Sequence, residues 1–87
     1  MRRRTFGDAL RARLGEMEMS QAGLREELAR VGCSVSTNTV WNWASGAALP
    51  RRGHLLALLD VLLVPTEERD QWKLLAYDAQ GDAAESA

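Results

Sequence analysis

SQAGLREELARVGCSVSTNTVWNWASG, residues 20–46, decides how the rest of the chain is read. Ser20 is an N-cap residue, and Leu24, Leu28 and Val31 follow it at helical spacing as a buried face, with Gly32 ending the helix. Ser36 is a second N-cap. Val40 and Trp43, three residues apart, are the inward anchors of the next helix, and Gly46 suits the left-handed position that closes it. Thr37, Asn38, Trp41 and Asn42 then point outward. A face of small hydrogen-bonding side chains fits the DNA major groove, where base edges offer donors, acceptors and thymine methyls. The same pattern also describes two packed helices whose polar face is simply solvated.

The flanks read as three more helices and no strand. Thr5 with Asp8 three residues on forms a capping-box pattern for a helix running to about Glu16, with Phe6, Leu10 and Leu14 as its apolar stripe. Arg11 and Arg13 read as surface charges on it. Pro50 opens or immediately precedes a fourth helix whose leucines (55, 56, 58, 59, 62 and 63) cover more than half its circumference. Pro65 interrupts it, and Thr66 with Arg69 or Asp70 starts a fifth helix carrying Trp72, Leu75 and Tyr77. From about Gln80 the tail GDAAESA has too little apolar content to stay ordered alone.

Eighty-seven residues allow a single domain with a modest core. One cysteine, Cys33, excludes an internal disulfide and a multi-cysteine zinc site, and reads as a small turn residue that fits a reducing cytoplasm. No apolar run reaches the ~18 residues a membrane span needs, so no membrane partner is expected. Arg2-Arg3-Arg4 is not followed by a signal-peptide core, and the expected location is cytoplasmic. The net charge of −1 conceals an asymmetry: residues 1–53 carry nine Arg and five acidic residues, residues 54–87 two cations and seven acidic residues. A local basic field steers an anionic partner more than the total does.

With these residues in view, Ser20–Pro50 resembles the helix-turn-helix repressors of the lambda-repressor/Cro (xenobiotic-response-element-like) family. Ser20-Gln21 with Leu24, then Ser36, Thr39-Val40, Trp43, Gly46 and Pro50 carry the resemblance. It implies an all-α, five-helix lambda-repressor-like domain over residues 1–79. The helix-turn-helix lies at about 20–46, helices four and five at about 51–78, and a disordered tail at 80–87. Two departures stand out. Arg25 occupies the place of the family's usual alanine, and the span from Leu24 to Val40 is longer than usual, which calls for a longer second helix or a looser turn.

The function implied is sequence-specific binding of double-stranded DNA, the third helix (about 37–45) lying in the major groove. Thr37, Asn38, Trp41 and Asn42 match the positions that reach base edges. Gln21, Ser36, Thr39, Arg51 and Arg52 are the candidates for phosphate contact, which supplies the salt-dependent part of affinity. Arg2, Arg3 and Arg4 form either an arm reaching the DNA or a plain basic tag. Trp41 packs on thymine methyls, on the sugar backbone or on a partner chain, or else folds back against the start of helix four. The surplus leucines of helices four and five point to a homodimer through Leu59, Leu62, Leu63, Trp72 and Leu75. Its two third helices would lie about 34 Å apart and read a palindrome.

The alternative is a protein-interaction module that keeps the helix-turn-helix fold and binds DNA weakly or not at all. An enzyme is the least favoured class. His54 has no nucleophile or metal partner near it in sequence, and Glu67, Glu68 and Asp70 suit a helix start. No metal, cofactor or small-molecule ligand is expected.

Overall fold

Among the described residues there are five helices and no strand. They are α1 (Phe6–Glu16), α2 (Gln21–Arg30), α3 (Thr37–Ser45), α4 (Arg52–Val61) and α5 (Thr66–Ser86). The computed structural model describes the backbone of residues 5–86 and the side chains of residues 5–77; the candidate arm Arg2–Arg4 lies outside the described residues.

Local chemistry sets the starts. Thr5 Oγ1 accepts from the Asp8 N–H at 3.1 Å, and the Asp8 carboxylate accepts from the Thr5 N–H at 3.1 Å, completing the capping box. Ser20 Oγ accepts from the Gly23 N–H at 2.9 Å, and Ser36 Oγ from the Thr39 N–H at 3.0 Å. Arg51 stands at the N-cap of α4 and provides no side-chain cap.

Three of the ends share one geometry, a left-handed residue flanked by two reverse hydrogen bonds. After α2, Gly32 (φ 85°) donates to Ala29 O and Cys33 N–H donates to Leu28 O. After α1 and α4 the left-handed residues are Glu18 and Leu63, both at φ 52°. Leu63 is 68% exposed, so its side chain gains little from burial while its Cβ opposes the backbone conformation. Leu63→Gly therefore stabilises the fold by up to about 1 kcal/mol, raising Tm by at most ~8 °C. An unchanged or lower Tm in a thermal melt would show that the Leu63 side chain holds the turn.

α3 packs against both α1 and α2; α4 joins α2 to α5, and α5 returns to α1. The core draws on every helix: Phe6, Leu10, Leu24, Leu28, Val40, Trp43, Leu55, Leu58, Leu59, Leu62 and Trp72 are all buried. Phe6 meets Trp72 edge-on, ring centroids 5.7 Å apart, which ties α1 to α5.

Several expectations are corrected here. Leu59, Leu62 and Trp72, assigned to a dimer interface, are buried inside the single chain because α5 packs across α4 and α1. Leu75 is half-buried against the same core, and of that set only Leu63 is exposed. Val31 does not extend the buried face of α2: it is the C-cap, 57% exposed, because the helix has already turned into its closing motif. Arg11 and Arg13 are not plain surface charges. Arg11 donates to the Ala44 carbonyl at the end of α3. Arg13 donates to Leu62 O at 2.9 Å and Leu63 O at 3.0 Å at the end of α4. Finally, α5 continues as helix to Ser86, past the expected start of a disordered tail at Gln80. Ala79, Gln80, Ala83, Ala84 and Glu85 are strong helix formers, a local preference that an argument from apolar content overlooks.

Candidate nucleic-acid interface

The site is built on α3, whose sequence TNTVWNWAS contains no charged residue. Val40, Trp43 and Ala44 form its buried side. The Trp43 ring also packs against His54 of α4, centroids 5.6 Å apart. Thr37, Asn38, Trp41 and Ser45 are exposed on the other side, with Asn42 half-buried beside them. The spacing 37, 41, 45 and 38, 42 places these five side chains on one face, since residues four apart are neighbours on a helix. Trp41, 55% exposed, stands out from that face; Trp43 is the tryptophan that meets helix four.

The turn between α2 and α3 spans residues 31–36, and α2 has ten residues. Between Leu24 and Val40 the chain thus runs through the end of α2, this six-residue turn and the first residues of α3. Cys33 and Val35 in that turn pack against the core, and burial pushes the Cys33 thiol above its ordinary pKa, leaving it a protonated packing group. α1 makes the closest approach to α3. At Gly7 a Cβ would lie 2.9 Å from Ala44 O and 3.2 Å from Trp43 O, so only glycine lets the two backbones approach this closely. One turn later Arg11 binds Ala44 O. Neither residue was recognised from sequence; the available signal was a glycine just inside a capped helix with an arginine four residues on.

The phosphate candidates divide. Ser36 and Thr39 are brought together, their hydroxyls 2.9 Å apart, and the mutual bond uses one of the two hydroxyl protons. Gln21 is the first residue of α2, half-buried at the helix start. Arg52 lies over the Tyr77 ring, 5.7 Å from its centroid, on the α5 side. The Arg51 side chain is exposed and makes no hydrogen bond or ion pair to another described residue. Elsewhere Arg30 pairs with Glu27 at 3.0 Å, and Arg69 with Asp60 at 2.9 Å. Of the described arginines before His54, Arg11, Arg13, Arg30 and Arg52 have partners in the fold, and the side chains of Arg25 and Arg51 have none among the described residues.

No known protein family, curated protein or solved structure matches this chain. No helix among the described residues is long and apolar enough to cross a membrane, and no group of three or more of their His, Cys, Asp and Glu side chains is placed to hold a metal ion.

Proposed function

We propose that the chain is a helix-turn-helix protein that binds double-stranded DNA sequence-specifically, with α3 in the major groove. The observation that carries this reading is the outward face of α3. Thr37, Asn38, Trp41 and Asn42 lie on one side of a helix whose other side is fixed by Val40 and Trp43. A reading helix needs both a polar face of the right chemistry and a rigid mount. The uncapped start of α4 supports the reading. Its first amide N–H groups have no side-chain acceptor, Arg51 stands beside them, and an open helix N-terminus with an adjacent cation suits a phosphate.

Selection from a pool of random duplexes, followed by titration at several salt concentrations, tests it. An enriched site with salt-dependent affinity is the expected result. Arg51→Ala should then weaken binding about equally on all sequences and reduce the salt slope by about 0.9, the value for one lost phosphate contact. An unchanged slope would remove Arg51 from the interface. Absence of any DNA binding would favour the protein-interaction module, for which the exposed Trp41 would be the anchor.

A homodimer belongs to the same proposal, on a smaller surface than the leucine count suggested. Arg52, Leu56, Asp60 and Leu63 are all exposed and follow one another at helical spacing along α4 and its closing turn. Two copies of α4 crossing antiparallel would cover Leu56 and Leu63 of each with those of the partner, a self-complementary arrangement. Sedimentation at increasing concentration, with Leu56→Glu as the disruptive variant, tests the dimer. A wild-type protein that stays monomeric on a palindromic duplex would rule it out.

A further inference from the structure

We infer that the half-site read by α3 consists of A·T pairs, and that Asn38 and Trp41 set this preference. The inference rests on the DNA-binding reading above and concerns which base pairs the helix accepts.

α3 lacks the side chains that most often read guanine. In the major groove guanine presents two acceptors, N7 and O6, and its common specific partner is the Arg or Lys side chain, which offers only donors. α3 carries neither, from Thr37 to Ser45. Arg25 belongs to α2 and Arg51 to the start of α4. Arg11 commits its guanidinium to Ala44 O, at the end of α3, and to Asp8 of its own helix.

What α3 does present is matched to adenine and thymine. Adenine offers an acceptor at N7 beside a donor at N6, and a carboxamide with its N–H2 and C=O side by side meets both at once. Asn38 is fully on the outward face, and Asn42 lies one turn further along at its edge. Thymine's distinguishing feature is the C5 methyl, an apolar group that needs an apolar neighbour. Trp41 is the one large apolar side chain on that face and is 55% exposed. It lies three residues from Asn38 and four from Thr37, so the three side chains project from adjacent turns. Ser45, the remaining member of the face, donates its hydroxyl to Asn42 O at 3.2 Å, which directs it along the helix. A face with the Asn38 and Asn42 carboxamides beside an indole and a threonine methyl is complementary to A·T steps and leaves guanine's paired acceptors without a cation.

The test compares the sites selected from a random duplex pool by the wild type, Asn38→Ala and Trp41→Ala, since positions whose preference changes are the ones α3 reads. Both side chains are exposed, and thermal melts check that the folds are unchanged. We expect the changed positions to be A·T pairs, with Asn38→Ala losing about 5- to 100-fold of discrimination at one of them. On the wild-type site, deoxyuridine in place of thymine at the position altered by Trp41→Ala should weaken wild-type binding about fourfold, the effect of one buried methyl, and leave Trp41→Ala unaffected. If the changed positions are G·C pairs, or deoxyuridine has no effect on the wild type, the inference is overturned while DNA binding by α3 stands. If the pool yields no enriched sequence, both the inference and the reading beneath it fail.

Discussion

Trp43→Ala is expected to lower Tm by about 12–40 °C or to abolish cooperative unfolding. Deleting a buried tryptophan costs about 3–5 kcal/mol, and each kcal/mol moves Tm by about 4–8 °C in a domain of this size. A small domain has total stability of only about 5–15 kcal/mol, so the loss approaches the whole at the lower end. Trp43 is 3% exposed, faces the core from α3 and packs on His54 of α4. Its removal therefore leaves a cavity at the junction of two helices. The melt followed by circular dichroism checks this. A Tm within a few degrees of wild type would mean that α3 is anchored chiefly by Val40 and by α1. Trp41→Ala is the natural control, since a side chain 55% exposed leaves no comparable cavity.

Gly7→Ala should destabilise the protein even though alanine favours helix by about 1 kcal/mol over glycine. The new methyl would meet Ala44 O, Trp43 O and Gly46 N at 2.9–3.3 Å, and all three are backbone atoms that move only if the helices separate. Overpacking of this kind costs about 1–3 kcal/mol. The net loss of up to about 2 kcal/mol corresponds to a Tm lower by as much as ~16 °C. Gly15→Ala, on the same helix with nothing within 4 Å of its Cβ, should do the opposite and raise Tm by about 2–8 °C. The two signs together test whether α1 and α3 touch backbone to backbone. A stabilising Gly7→Ala would show that they do not. Because Gly7 sets how closely α1 approaches α3, Gly7→Ala should also weaken the DNA binding proposed above more than a conservative change within 31–36 does.

The parts of this fold legible in the sequence are those governed by neighbours along the chain. The Thr5–Asp8 box, the Ser20 and Ser36 caps and left-handed Gly46 each depend on residues three or four positions away, and each lies where its local chemistry places it. The apolar stripes were equally readable, yet a stripe does not say what covers it. Leu59, Leu62 and Trp72 were read as surplus because the packing of α5 across α4 and α1 is a property of the whole chain. Arg11 and Arg13 act on carbonyls 33 and 49 residues away, a relationship with no local signal. For the candidate site, the outward placement of Thr37, Asn38 and Trp41 followed from the positions of Val40 and Trp43. That Arg52 lies over Tyr77 while Arg51 is exposed did not, because adjacent arginines differ only in what the rest of the fold offers them.

Arg13 reaches the end of α4 from α1, and Arg69 reaches it from α5, donating to Val64 O at 2.9 Å while pairing with Asp60. The first and last helices thus latch onto the same turn from opposite ends of the chain. In amide hydrogen exchange, such a double latch makes that turn the last place to open: fraying of either terminus leaves the other guanidinium in position. The amides of Leu62 and Val64 should exchange only with global unfolding, and Arg13→Ala or Arg69→Ala alone should leave them protected while the double variant exposes them to local opening.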